Sequence, residues 1–161
     1  MIIKAIKYAA KKVIYFGSKN ECLFCGAKFS GFRPCGFDFP VLKEKNVVGT
    51  GLRLAACPFC HSSDRERLVY LFLKRKTNVF NERIKLLHVA PENNLGRKLK
   101  ECGNIDYLSA DLNSPLAMEK MDITDIKYTD NSFDAVICNH VLEHIIDDAK
   151  AIRELYRVIK P

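Results

Sequence analysis

The sequence predicts an α/β protein in which a small cysteine-rich segment precedes a parallel, doubly wound sheet. Three observations predict it. Two C-x-x-C pairs lie in the glycine-rich first half. From Ile84 onward, short apolar runs alternate with amphipathic stretches at β-α spacing. The charge also divides: residues 1–76 carry 15 Lys+Arg against 5 Asp+Glu, a net of +10, while residues 77–161 carry 11 against 14, a net of −3.

The bulk composition, 48% hydrophobic and 28% charged, is that of a soluble globular chain. No run approaches the roughly 18 apolar residues of a membrane span. Lys4, Lys7, Lys11 and Lys12 interrupt the N-terminal apolar residues, which argues against a secretory signal. These features predict a cytoplasmic protein, where paired cysteines favour a metal over disulfides.

Residues 2–16 place Ile2, Ile3, Ile6, Ala9, Ala10, Val13 and Ile14 at helical spacing among lysines. This is a basic amphipathic helix, suited to packing on its own domain or to lying on anionic lipid. Residues 20–62 lack helical periodicity and predict short strands and turns. Ser63-x-x-Glu66 has the form of a capping box and should start a helix running to about Lys76, with Leu68, Leu71 and Phe72 on its apolar face. Ile84–Val89 reads as a buried strand, Leu95–Glu101 as a short helix, and Ile105–Ala110 as a second strand ending at Asp111. A short third strand precedes Asp122. Phe133–Cys138 is a fourth strand. Asp147–Lys160 is a helix capped by Asp147, with Ile152, Leu155, Tyr156 and Ile159 on one face. The expected organisation is a basic helix over 1–18, a zinc ribbon over 19–62, a linking helix over 63–76 and a Rossmann-like domain over 77–161.

Cys22-Leu-Phe-Cys25-Gly26 and Cys57-Pro-Phe-Cys60-His61 are two metal knuckles separated by 31 residues. Each tight turn aims two thiolates at one ion, and two turns close a tetrahedral Zn2+ site through Cys22, Cys25, Cys57 and Cys60. Four thiolates leave no open position, so the zinc is structural. The competing reading is redox dithiols or free thiols. Cys35 and His61 compete as ligands, whereas Cys102 and Cys138 read as packing residues. Phe24, Phe29, Phe32 and Phe37 lie near the knuckles. In a basic segment they either stack on nucleic-acid bases or fill the ribbon core.

The C-terminal stretch Met121–Pro161, with Asp122, Asn131-Ser-Phe-Asp134, Val141-Leu-Glu-His144 and a helix ending in Lys160-Pro161, resembles class I S-adenosylmethionine (SAM)-dependent methyltransferases of the type 11 kind. The His88-Val-Ala-Pro-Glu92 loop is similar to a subgroup that also carries a four-cysteine ribbon and a Ser-x-x-Arg/Glu-Arg helix start, matched here by Ser62–Leu68. The resemblance implies a cofactor site formed by His88, Ala90, Pro91, Glu92, Asp111, Leu112, Asp122, Ile123 and Asn139. Asp111 would take the ribose hydroxyls and Asp122-Ile123 the adenine. Ala90, Glu92 and Asn94 replace the usual glycines, and His88 replaces the usual acid, so Glu92 is left to meet the cofactor ammonium. His88 also reads as a hydrogen-bonded core histidine, and Asp111, Asp122 and Asn139 as turn residues. Glu143 and His144 would shape the pocket floor. A second metal site at His140 and His144 is disfavoured, because the turn after the fourth strand should not continue as one regular helix.

In that family the sheet has seven strands, ordered 3-2-1-4-5-7-6, and this chain supplies the first four. Strand four should therefore be an open edge, from which self-association is expected. The implied function is methyl transfer from SAM to an unidentified acceptor. The alternatives are a zinc-ribbon nucleic-acid-binding module and a non-catalytic remnant or partner subunit.

Overall fold

The computed structural model describes residues 2–47 and 51–161, with side chains from Ile6 onward. Its contacts divide the chain into two compact units, Met1–Val69 and Tyr70–Pro161.

The first unit begins with α1 (Ile2–Ile14). The hairpin β1 (Asn20–Glu21) and β2 (Lys28–Phe29) carries the first knuckle, and the antiparallel pair β3 (Arg33–Cys35) and β4 (Arg53–Ala56) leads into the second. A short helix, α2 (Pro40–Glu44), lies between β3 and β4 and has no periodic signature in the sequence. The buried core is Cys22, Phe29 and Cys57, with Tyr15, Phe24, Phe32, Phe59 and Cys60 packed against it. Phe24, Phe29 and Phe32 therefore fill the ribbon core. Phe37 stays exposed and stacks on Phe39 at 5.4 Å.

Helix α3 (Asp64–Lys76) starts where the capping box predicts, with the Glu66 N–H donating to Ser63 Oγ at 3.2 Å. Its buried face differs from the expected one. Leu68 and Phe72 are exposed, whereas Glu66 and Leu73 are buried. Arg67 accounts for part of this rotation. It donates to the Ala55 and Ser62 carbonyls at 2.7 and 2.6 Å and lies over the Phe32 ring, so the helix is anchored by its polar side.

The second unit is built on a four-stranded parallel sheet, β5 (Ile84–Val89), β6 (Ile105–Asp111), β7 (Glu119–Lys120) and β8 (Ala135–Cys138), in the order β7-β6-β5-β8. This is the expected 3-2-1-4 arrangement of a Rossmann-like sheet. Alternation along β5 sends Leu87 and Val89 to one face and Leu86 and His88 to the other. The first pair joins Ala110, Ile123, Phe133, Ala151 and Val158 in the main core. On the opposite face lies α4 (Asn93–Lys100). Gly96 admits its close approach, because a β-carbon there would sit 2.8 Å from Tyr107 Oη.

Two expectations change here. Helix α5 (Asp148–Val158) is capped by Asp147, which accepts from the Lys150 N–H at 2.9 Å, but it buries Ala151 and Val158 while Ile152 and Tyr156 face solvent. Its roll is fixed by Glu154 accepting from the Ile126 N–H and by Arg157 donating to the Ile126 and Tyr128 carbonyls. The outer edge is also less open than expected. Residues 158–160 run parallel to Phe133, with Phe133 N–H to Val158 O and Lys160 N–H to Phe133 O both at 2.9 Å.

Candidate functional site

Two constellations are assembled, one in each unit. In the first, the Sγ atoms of Cys22, Cys25, Cys57 and Cys60 all lie within 4.8 Å of one another. The Cys22–Cys60 and Cys25–Cys57 separations are 3.5 and 3.8 Å. A disulfide needs about 2.05 Å. Tetrahedral zinc with bonds of about 2.3 Å sets its sulfurs roughly 3.8 Å apart, so the four thiols have the dimensions of a zinc site.

The two knuckles are built alike. In each, the first cysteine's N–H donates to a carbonyl five residues on (Cys22 to Ala27, Cys57 to Ser62), and its own carbonyl accepts from the residue four on (Gly26, His61). That fourth residue needs a left-handed backbone. Gly26 has φ of 67° and His61 has φ of 62°. His61 thus stands at the glycine position of its turn. Its ring nitrogens lie 3.1 Å from Lys11 Nζ and 2.9 Å from Arg33 Nη1, and the ring's one free lone pair accepts from one of them at a time. His61 and Cys35 are both outside the cluster.

Ser62 is fully buried, its hydroxyl 3.4 Å from Cys22 Sγ and 3.3 Å from Cys60 Sγ. Burial pushes the Cys22 thiol up, but the Ser62 hydroxyl and the Cys25 and Phe24 N–H groups outweigh it and bring it down to about 7. Burial pushes Cys25 up to about 12 against the pull of the Ala27 N–H, and the crowding of the Cys60 and Cys22 sulfurs adds to the rise. A cation at the centre offsets that crowding.

In the second unit a cavity of about 300 Å³ opens at the carboxyl ends of the parallel strands. Its wall contains Ala90 after β5, Asp111 at the end of β6 and Leu112 after it, and Asp122 and Ile123 after β7. Asp111 Oδ1 accepts the Asn113 and Ser114 N–H groups at 2.7 and 2.6 Å, so its carboxylate is oriented by the turn it starts, while Oδ2 has no protein donor among the described residues. Asp122 is built the same way: Oδ1 accepts the Thr124 N–H and hydroxyl, both at 2.8 Å, which holds its carboxyl below the usual range. The turn-forming and ligand-facing readings of both aspartates are thus compatible. Ala90 has φ of 48°, a glycine-like conformation that keeps the loop close to the cavity.

His88, Pro91, Glu92 and Asn139 do not line this cavity. Pro91 and Glu92 border a smaller one, about 120 Å³, with Gly96, Tyr107 and Ser109. His88 is fully buried in the sheet and belongs to a hydrogen-bonded chain. Its Nδ1 is 3.1 Å from Tyr107 Oη, and its Nε2 is 2.8 Å from Glu92 Oε2. Asn139 Nδ2 donates to Glu92 Oε1 at 3.2 Å. Burial drives Tyr107 up to about 12, so it remains a protonated donor. The Glu92 carboxylate can only accept, so it is Nε2–H that donates to Glu92, while Nδ1 faces the Tyr107 hydroxyl. Burial alone would raise the Glu92 pKa, but the bonds from His88 and Asn139 hold it below its ordinary value. His88 therefore acts on the loop through Glu92.

The rest of the cavity wall is Val89, Asn113, Met121, His140, Val141, His144 and Ile145. Asn113, Met121 and Ile145 carry no distinctive spacing in the sequence and would be found only by knowing which strand ends converge. His144 lines the wall as expected, while Glu143 pairs with His140 at 3.3 Å. His144 ends a 3-10 turn (Leu142–His144) that His140 precedes, so the two do not share one regular helix, and the four cysteines are the only metal-type cluster among the described residues.

Residues 86–161 match the family model described as a methyltransferase domain. Among solved structures, the [4+2]-cyclase SpnF is similar, with a TM-score of 0.47 and 19% identity over 79% of this chain and 59% of that one. The chain thus spans about 59% of the length of that protein. No match was found among curated proteins. Residues 86–161, which carry the Rossmann-like sheet, are thus similar to methyltransferase domains, in a chain whose N-terminal unit holds a four-cysteine cluster.

Proposed function

We propose that this chain binds S-adenosylmethionine in the 300 Å³ cavity of its second unit and acts as a SAM-dependent methyltransferase, with structural zinc in the four-cysteine cluster of its first. The observation that carries the reading is the convergence of Asp111 and Asp122, from successive parallel strand ends, on one cavity beside the left-handed Ala90 loop. Ligands of doubly wound sheets bind at that end. The volume is at the low end for a small-molecule site.

The donor set fits the cofactor. Asp111 retains carboxylate acceptor capacity for a pair of ribose hydroxyls. Asp122 accepts from an exocyclic amine, and Ile123, Val141 and Ile145 offer apolar surface to a purine face. Glu92, held ionised by His88 and Asn139, supplies negative charge next to the loop for an ammonium group. When bound, S-adenosylmethionine supplies a methyl group already activated on a sulfonium. The chain's contribution is then to hold the two reactants in line, which can account for much of the rate without a strong base. The acceptor is a nucleophilic O, N or C atom of unassigned identity.

The test is calorimetric titration of the zinc-loaded chain with S-adenosylhomocysteine. Micromolar binding that is lost in Asp111→Ala supports the reading. No binding by folded, zinc-loaded protein overturns it and leaves the non-catalytic alternative.

A further inference from the structure

Helix α1 meets its own unit by its polar and aromatic side. The Tyr8 ring packs edge-on against Phe59 at 5.6 Å, Lys11 Nζ bonds the His61 ring at 3.1 Å, and Tyr15 packs against the Cys22–Phe29–Cys57 core. The aliphatic side is turned to solvent. Ile6 and Val13 are 62% and 77% exposed, and Ala9 and Ala10 between them are exposed as well. Ile14 and Phe16, at 70% and 85%, extend the apolar surface past the helix end. At 3.6 residues per turn, Lys7 and Lys12 lie roughly 110° to either side of the Ile6–Val13 ridge. The expectation that this helix packs its apolar face on its own domain is therefore reversed.

Three occupants could cover such a ridge, and the chemistry separates them. Nucleic acid gains nothing from aliphatic side chains, which neither stack on bases nor pair with their edges. A second copy laid ridge to ridge would bring its lysines against Lys7 and Lys12, like charge on like. An anionic bilayer satisfies both halves of the pattern, since the ridge enters the acyl boundary while the flanking ammonium groups stay among anionic headgroups. The groove beside the helix, lined by Tyr8, Lys12, Tyr15, Phe16, Lys28 and Phe59, has the aromatic and basic composition of a membrane-interface belt. No described helix is long and apolar enough to cross a membrane.

We propose that α1 is an interfacial anchor that seats the basic N-terminal unit on an anionic membrane surface. The proposal is independent of the SAM reading. The test is flotation of the full zinc-loaded chain with vesicles of phosphatidylcholine alone and with roughly one third phosphatidylglycerol. Flotation with the anionic vesicles, falling as salt rises, is expected. Ile6→Ser with Val13→Ser should reduce the partition coefficient at least about tenfold, as expected for losing two aliphatic anchors. Both positions are solvent-exposed, so zinc content and the far-ultraviolet spectrum should be unchanged. Lys7→Gln with Lys12→Gln should weaken binding and flatten its salt dependence. Absence of flotation by folded protein, or flotation undiminished in the Ile6/Val13 variant, overturns the proposal. Without flotation, binding of a single-stranded RNA oligonucleotide assigns the basic unit to nucleic acid. Without flotation, a dimer lost in the Ile6/Val13 variant assigns the ridge to a second copy.

Discussion

The two units place their chemistry in opposite relations to their cores. In the first, the sulfur cluster is the core: Cys22 and Cys57 are among its few fully buried residues, and the aromatic rings close around them. In the second, a core of Leu87, Phe133, Ala151 and Val158 stands without the cavity, whose polar groups sit at the strand ends. With zinc in the cluster, as proposed, a segment too small to bury much apolar surface would draw its folding energy from the metal. A sheet with a core of its own can carry a binding site that contributes little to stability.

That contrast is broken most directly at the cysteines. Cys57→Ser, or strong chelation, should unfold the first unit while the second keeps its protease-resistant core, because zinc-coupled folding is worth on the order of 10 kcal/mol or more in small zinc domains. Limited proteolysis with mass analysis checks this. Global unfolding of both units on chelation would mean that the second core does not stand alone.

A smaller effect is expected at the buried chain behind the cavity. His88→Phe preserves bulk but leaves Tyr107 Oη and Glu92 Oε2 without their imidazole partner, a loss of about 1–3 kcal/mol. It also changes the pH profile. Glu92 has a folded pKa below its ordinary 4.5, so its contribution is present above that value and lost as pH falls through the folded one. With the His88 bond removed, the acid limb of the stability profile should become shallower. Denaturant melts of both proteins through the carboxylate range measure it, and an unchanged acid limb would show that His88 does not hold Glu92.

Much of this was legible in the sequence, for identifiable reasons. The Ile84–Val89 strand matches residue for residue, and the Ser63 and Asp147 caps were readable because local hydrogen bonding sets them. The knuckle spacing brought the four cysteines together. Helix roll was not legible. Leu68, Phe72, Ile152 and Tyr156 form apolar stripes that the structure leaves exposed, because Arg67, Glu154 and Arg157 bond to distant backbone groups and turn the helices their own way. Nor could spacing tell that His88, Glu92 and Asn139 would bond to one another, since their contact is created by the register of β5 between β6 and β8.

The finest comparison concerns one backbone feature shared by both sites. Ala90 in the cavity loop and His61 in the second knuckle are non-glycine residues at φ of 48° and 62°. A β-carbon in that region costs roughly 1–2 kcal/mol, so glycine should relieve strain at either position. At Ala90 the gain is opposed by the larger freedom of the unfolded chain and by loss of the methyl's packing on the main core, so Ala90→Gly should stabilise by no more than about 1 kcal/mol. At His61 the same relief is offset by loss of the hydrogen bond that the ring accepts from Lys11 or Arg33, so His61→Gly should change stability by no more than about 0.5 kcal/mol. Paired thermal melts of the two variants decide the matter. A clear gain at Ala90 with little change at His61 would mean that the imidazole compensates for its own backbone. Equal gains would mean that the His61 contacts contribute nothing and that the knuckle, like the loop, tolerates a strained residue.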